Sequence, residues 1–293
     1  MISKESKSLG WILLISLSVI WGSSFILMHE GLKYFTPTQL ASFRLSLVGL
    51  LFLPFGMHGI RFVEKNDLKW FALAGLLGNF IPAYCFAIAI THIQSSTAGA
   101  LNSLTPFFTL ISGILLFSKK FNKYKSIGIV IGMIGALILI ILKPGGGAET
   151  NYLYGLLIIA ATLLYGINVN IIETKLSKYD PVKISTIPLS LIFFPAALCL
   201  IYFNFPLTEM LNPVYIKGTM YISTLGLIGT GLGLILFNRL IQISTGLFAS
   251  TVTYMMPVVS SFWGVYNNEP IGPIQILSFC LILLGVLLVR KIK

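Results

Sequence analysis

TAGALNSLTPFFTLISGILLF, Thr97 to Phe117, is long and apolar enough for a helix to cross a bilayer, since about 20 such residues span the hydrocarbon. Pro106 sits at its centre, with Asn102, Ser103 and Thr105 on the turn before it. A proline has no backbone N–H, so the carbonyl four residues earlier, that of Asn102, loses its usual partner. In lipid such a defect persists only where side chains, neighbouring helices or water satisfy the backbone again. These polar residues are therefore expected to face protein or a cavity. The design returns at Leu247 to Val265, LFASTVTYMMPVVSSFWGV, with Pro257 in the place of Pro106. Two copies of one broken, polar-centred membrane helix predict an internal duplication.

The whole chain fits that setting. Of its 293 residues 56% are hydrophobic and only 10% charged, where a soluble domain carries about 25% charged residues. This is the composition of an all-α polytopic membrane protein, with the lipid bilayer as its main surroundings. The net charge of +11 does not point to nucleic acid, because the basic residues lie singly or in short clusters between apolar runs. Lys4 and Lys7 before the run from Leu9 resemble a signal peptide, but no A-x-A-like cleavage site follows, so a first transmembrane helix is expected. Cys85, Cys199 and Cys280 lie in apolar runs at spacings that match no metal motif. No metal and no cofactor is expected.

Apolar runs of spanning length fall at 10–28, 37–58, 68–90, 96–117, 126–142, 152–172, 182–203, 216–237, 246–265 and 272–289, which predicts ten transmembrane helices. Small residues recur at helical spacing, as in Gly128, Gly132 and Gly135 or Gly226, Gly229 and Gly233, where backbones can approach closely. With the N-terminus inside, sixteen of the twenty Lys and Arg fall in inside segments, three (Lys33, Lys143 and Lys217) fall outside, and Arg44 lies within a helix. The positive-inside rule then places both termini in the cytoplasm of a multi-pass protein of the cell membrane. Trp21-Gly22 aligns with Tyr165-Gly166, and Phe35-Thr36-Pro37 with Tyr179-Asp180-Pro181, at one common offset. Ala98, Asn102 and Pro106 align with Ala249, Thr253 and Pro257. The expected units are repeats 1–145 and 152–293, each of five helices, joined by a linker at 146–151. Five is odd, so the second repeat is inverted. Secondary transporters share this plan, with a site near the midplane between copies.

The order of these motifs resembles the EamA family of the drug/metabolite transporter superfamily. The resemblance rests on Trp21-Gly22-Ser23-Ser24-Phe25, Arg44, Leu104-Thr105-Pro106-Phe107, Pro257, Asn268-Glu269-Pro270 and Gly285, and it covers nearly the whole chain. It implies a ten-helix transporter, often an exporter of amino acids or other small metabolites, with a cavity lined by helices 1, 3, 4, 6, 8 and 9. Lys119 departs from the pattern, since it aligns with Glu269 of the second repeat where an acidic residue is usual.

The candidate cavity residues are Trp21 and Ser24 in helix 1, Asn79 and Tyr84 in helix 3 and Asn102 in helix 4. Tyr165 and Asn168 in helix 6 and Thr253 in helix 9 complete the set. Interhelical hydrogen bonding is the alternative for each hydroxyl and amide. Pro106 and Pro257 are the candidate helix-breaking hinges. Arg44 is the one charge well inside a helix, and such charges are costly and often functional. Its counterpart is Pro188 and its helix is peripheral in the family, so a structural role, snorkelling or capping carbonyls, is favoured over holding a substrate carboxylate.

No Asp or Glu falls in mid-helix, so no proton relay is visible. The expected function is a secondary transporter for a small-molecule substrate, with proton-coupled efflux or uptake as the alternative. A membrane-embedded enzyme is the rival from another class. His29, His58 and His92 form no zinc-like pair and lie near helix ends, which argues against it.

Overall fold

The computed structural model describes residues 4–93, 95–120, 122–141, 152–266 and 272–291. Among these residues the regular elements are all helical, and they group into ten spans. Span 1 is α1 (Lys4–Gly31) and span 2 is α2 (Pro37–Ile60). Span 3 joins α3 (Leu68–Gly75) to α4 (Ile81–Ile90) through a π-helical stretch, Leu76–Phe80. Span 4 is broken between α5 (Ser95–Asn102) and α6 (Thr105–Phe117), and span 5 is α7 (Lys123–Ile141). Spans 6 and 7 are α8 (Tyr152–Lys175) and α9 (Pro181–Tyr202). Span 8 joins α10 (Ile216–Thr224) to α11 (Gly233–Ile243) through a second π-helical stretch, Leu225–Leu232. Span 9 is broken between α12 (Gly246–Ser250) and α13 (Val252–Tyr266), and span 10 is α14 (Pro273–Lys291).

Spans 1, 2, 3, 6, 7 and 8 are continuous apolar helices of 22 to 28 residues, enough to cross the hydrocarbon. Leu115, Leu153 and Leu198 lie on the outer surface, each at least 68% exposed, as lipid contact requires. The linker 146–151 and the Asn268-Glu269-Pro270 turn lie outside the described residues.

The duplication is visible in how helices begin. Thr36 caps α2 with a capping box, its side chain accepting from the backbone of Gln39, and Pro37 follows in the first turn. Asp180 caps α9 without a capping box, its side chain accepting from the amide of Val182, and Pro181 follows it. The packing repeats too. Span 4 lies on span 6 and span 9 on span 1; span 3 lies on span 6 and span 8 on span 1. Spans 2 and 7 pair with each other, as do spans 5 and 10. Exchanging each span for its repeat partner leaves this set of neighbours unchanged.

Glycine sets the closeness of the two self-paired contacts. A Cβ on Gly56 would meet Ser190 Oγ at 2.0 Å and the Thr186 carbonyl at 2.8 Å. A Cβ on Gly285 would lie 2.6 Å from the Cα of Gly132, and one on Gly128 2.9 Å from the Gly285 carbonyl. Near the ends of spans 3 and 6, Lys178 Nζ lies 2.6 Å from Glu64 Oε1 and 2.8 Å from Asp67 Oδ2. Hydrogen bonds to Asp67 and then Glu64 hold its ammonium pKa above the usual lysine range. Tyr179 Oη donates to Asp67 Oδ2 at 2.8 Å, and burial, more than that bond, raises its phenol pKa.

Gly285→Ala should force spans 5 and 10 apart and lower the apparent melting temperature of detergent-purified protein, an overpacking cost of about 1–3 kcal/mol. Gly99→Ala, where nothing lies within 4 Å of the added Cβ, should leave the midpoint unchanged or slightly raised. Equal midpoints for the two variants would contradict the close seam.

Candidate functional site

Between spans 1, 3, 4, 6, 8 and 9 lies a cavity of about 140 Å³, and one side chain of span 2, Arg44, also reaches it. Its walls come in repeat-related pairs. Trp21 and Ser24 of span 1 face it, as do Tyr165 and Asn168 of span 6. Gly78 and Asn79 of span 3 are matched by Gly229 and Thr230 of span 8, and Asn102 of span 4 by Thr253 of span 9. Phe25, Phe86 and Phe237 add apolar surface.

The two π turns explain how these polar groups are held. A π turn shifts the hydrogen-bond register by one residue and recurs at functional sites. In span 8 the amide of Gly233 bonds the carbonyl of Ile228, which leaves the Gly229 carbonyl outside the helical ladder. Trp21 Nε1–H donates to that carbonyl at 2.8 Å. Glycine at 233 leaves room for the indole, because a Cβ there would lie 2.7 Å from Trp21 Nε1. The first repeat uses the same device: a Cβ on Gly78 would lie 2.2 Å from Asn168 Nδ2, so glycine admits the amide. Asn168 is 6% exposed, and its Oδ1 has no hydrogen-bond partner among the described residues.

The broken spans cross beside the cavity. The Asn102 carbonyl freed by Pro106 accepts from Thr105 Oγ1 at 2.8 Å. The Thr253 carbonyl freed by Pro257 accepts from Ser103 Oγ at 3.3 Å, across the two repeats. Pro106 begins α6, directly after the break in span 4. Pro257 lies inside α13 instead, and span 9 breaks at Thr251. The prolines therefore differ in what they do to their helices.

Two further residues stand elsewhere than the sequence reading places them. Tyr84 is not part of the wall: its hydroxyl pairs with Ser42 Oγ at 2.7 Å, between spans 2 and 3. Arg44 neither snorkels nor caps a carbonyl among the described residues. Its Nε–H donates to Thr230 Oγ1 at 2.6 Å at the cavity wall. Thr230 escaped the sequence reading, although its alignment beside Asn79 was a usable signal.

The EamA-like transporter family model matches residues 8–141 and again 153–291. An uncharacterized transporter of Archaeoglobus fulgidus is 25% identical over 288 residues, covering 96% of this chain and 99% of that protein. The S-adenosylmethionine/S-adenosylhomocysteine transporter of Chlamydia trachomatis is 22% identical over 263 residues, covering 84% and 77% of the two chains. One solved crystal structure superposes with a TM-score of 0.71 over 96% of each chain at 15% identity, a likeness of fold alone.

Thr105→Val removes the hydroxyl that answers the Asn102 carbonyl and keeps the side chain's shape. An unsatisfied buried acceptor costs about 1–3 kcal/mol, so this variant should unfold at lower temperature than Thr105→Ser, which retains the donor. Indistinguishable melting curves would mean the carbonyl finds another partner.

Proposed function

The chain belongs to the EamA-like transporter family, and on that premise we propose that it exports amino acids or similar small metabolites across the cell membrane by alternating access. The observation that carries this reading is the cavity between the repeats, apolar and aromatic over much of its wall but edged by amides and hydroxyls. Ligand sites have this character: apolar surface supplies contact area and a few polar groups set orientation. The moving units would be repeats 1–145 and 152–293, joined through 146–151, with both termini in the cytoplasm on the positive-inside count. Trp21, Ser24, Asn79, Asn102, Tyr165, Asn168 and Thr253 would contact substrate. Pro106 and Pro257 would let spans 4 and 9 bend, since neither span can carry an unbroken ladder there. The reading is of a carrier, not an enzyme: no Asp, Glu, His or Cys lies in the cavity wall among the described residues. For the same reason we propose exchange without an obligatory proton.

Counterflow in proteoliposomes with labelled amino acids and small metabolites tests this reading. One substrate class should exchange, and Asn102→Ala and Asn168→Ala should each slow it several-fold, as the loss of about 1 kcal/mol per hydrogen bond implies. A pH gradient should not drive accumulation. Gradient-driven uptake would overturn the uncoupled mechanism, and absence of exchange by folded protein would overturn the substrate assignment.

A further inference from the structure

Among the described residues Arg44 is the only charged one in the cavity wall. Among the described residues no carboxylate lies within ion-pair distance of it, and its one hydrogen bond runs from Nε to Thr230 Oγ1. Three cations near the bundle's ends have carboxylate partners: Lys33 with Glu30, Lys119 with Glu173, and Lys178 with Glu64 and Asp67. Nε is thus fixed by Thr230, while the two terminal nitrogens carry four N–H groups in a planar fork that matches a carboxylate. Ionisable groups inside a membrane are expensive, and a lone one marks a ligand path.

A second group in the same wall is also unanswered. Asn168 Oδ1, on span 6, is an acceptor without a donor among the described residues, and a buried acceptor left alone costs about 1–3 kcal/mol. The cavity wall therefore holds one cationic fork and one residue with an unpaired acceptor, with aromatic surface from Phe25, Phe86, Tyr165 and Phe237. Charge balance narrows what fits. One carboxylate pairs with the Arg44 fork, and an ammonium on the same molecule can be met by an acceptor such as Asn168 Oδ1, whereas a phosphate monoester carries about −1.5 to −2 and would call for a second cation at the fork, which the wall lacks among the described residues.

We propose that Arg44, steadied by Thr230, is an anion subsite that accepts a single carboxylate. The bound molecule also carries an N–H or O–H donor, or an ammonium group, for Asn168. Its remaining part is small and apolar, so amino acids and small monocarboxylates fit, while phosphorylated sugars and carboxylate-free amines do not. Describing the bound molecule as cargo rests on the transport reading; the subsite itself does not.

The test is binding to detergent-purified, full-length protein, read by ligand-induced thermal stabilisation. The probes are the twenty amino acids and a set of small monocarboxylates, each beside its primary amide and methyl ester. At least one acid should bind, and at least about thirtyfold more tightly than its amide, the smaller end of what breaking a hydrogen-bonded charge pair costs. Arg44→Gln should abolish that preference, bringing acid and amide level, and Arg44→Lys should restore part of it. Thr230→Val should weaken the acid several-fold and leave the amide unchanged, which keeps the test available if Arg44→Gln does not fold. Equal binding of acid and amide, a preference surviving in Arg44→Gln, or no acid bound by folded wild type would overturn the proposal. Counterflow lost while acid-selective binding persists would instead overturn the transport reading alone.

Discussion

A backbone carbonyl in hydrocarbon has no water to turn to, so every irregularity in these spans must find its hydrogen bonds inside the protein. That constraint orders the centre of the molecule. Pro106 frees the Asn102 carbonyl, and Thr105 returns a donor to it from the adjacent turn. Pro257 frees the Thr253 carbonyl, and Ser103 answers it from the opposite repeat. The π turn of span 8 frees the Gly229 carbonyl, and Trp21 of span 1 answers that one. Elsewhere many hydroxyls bond back to their own helices, as Ser18 does to Leu14 and Ser185 to Pro181, and other long-range donors tie spans together, as Asn170 does to the Thr109 carbonyl and Tyr254 to that of Ile129.

The repeat exchange gives these local repairs a global form. Spans 2 and 7 meet their own counterparts, and so do spans 5 and 10, each through glycine seams too tight for a Cβ. Such contacts have little freedom to slide. The cavity spans meet across the repeats in both ways: Gly166 of span 6 lies against the Phe108 and Thr109 backbone of span 4, while Trp21 fits against the glycines of span 8 and Asn168 against Gly78 of span 3. Side-chain contacts at glycine notches can change partners at lower cost than backbone seams.

Much of this was legible in the sequence for physical reasons. Spans announce themselves because hydrocarbon excludes charge, and the Thr36-Pro37 and Asp180-Pro181 starts are local capping chemistry that needs no tertiary information. The walls of spans 1, 4, 6 and 9 followed from repeat alignment with helical spacing. Span 3 resisted that treatment. Its π turn at Leu76–Phe80 rotates α4 relative to α3, so Asn79 faces the cavity while Tyr84 turns to Ser42. A 3.6-residue period cannot register that step. The second break was misplaced for a related reason. Pro257 sits where a repeat alignment expects the break, but α13 passes through it, and the chain yields at Thr251 instead.

Two cations depart from the repeat, and they are resolved differently. Lys119 stands where the second copy has an acid. Its Nζ lies 2.5 Å from Glu173 Oε2, which ties the end of span 4 to that of span 6. It also follows the C-terminus of α6, where a positive charge is favoured by the helix dipole. Each of these stabilises Lys119 without any ligand. Arg44 replaces nothing acidic, since its counterpart is Pro188, and it lies within α2 with no carboxylate in ion-pair reach among the described residues. Span topology alone places it at the periphery; only the length of its side chain and the glycines of span 8 bring it to the wall. Gly226 lies against the Arg44 backbone, a Cβ there falling 3.3 Å from its carbonyl oxygen. That close approach sets span 2 near enough for the guanidinium to reach Thr230. The repeat symmetry accounts for Trp21 with Tyr165 and for Asn102 with Thr253, but it supplies no second Arg44. Among the described wall residues, charge selectivity can therefore enter only through this one unmatched side chain.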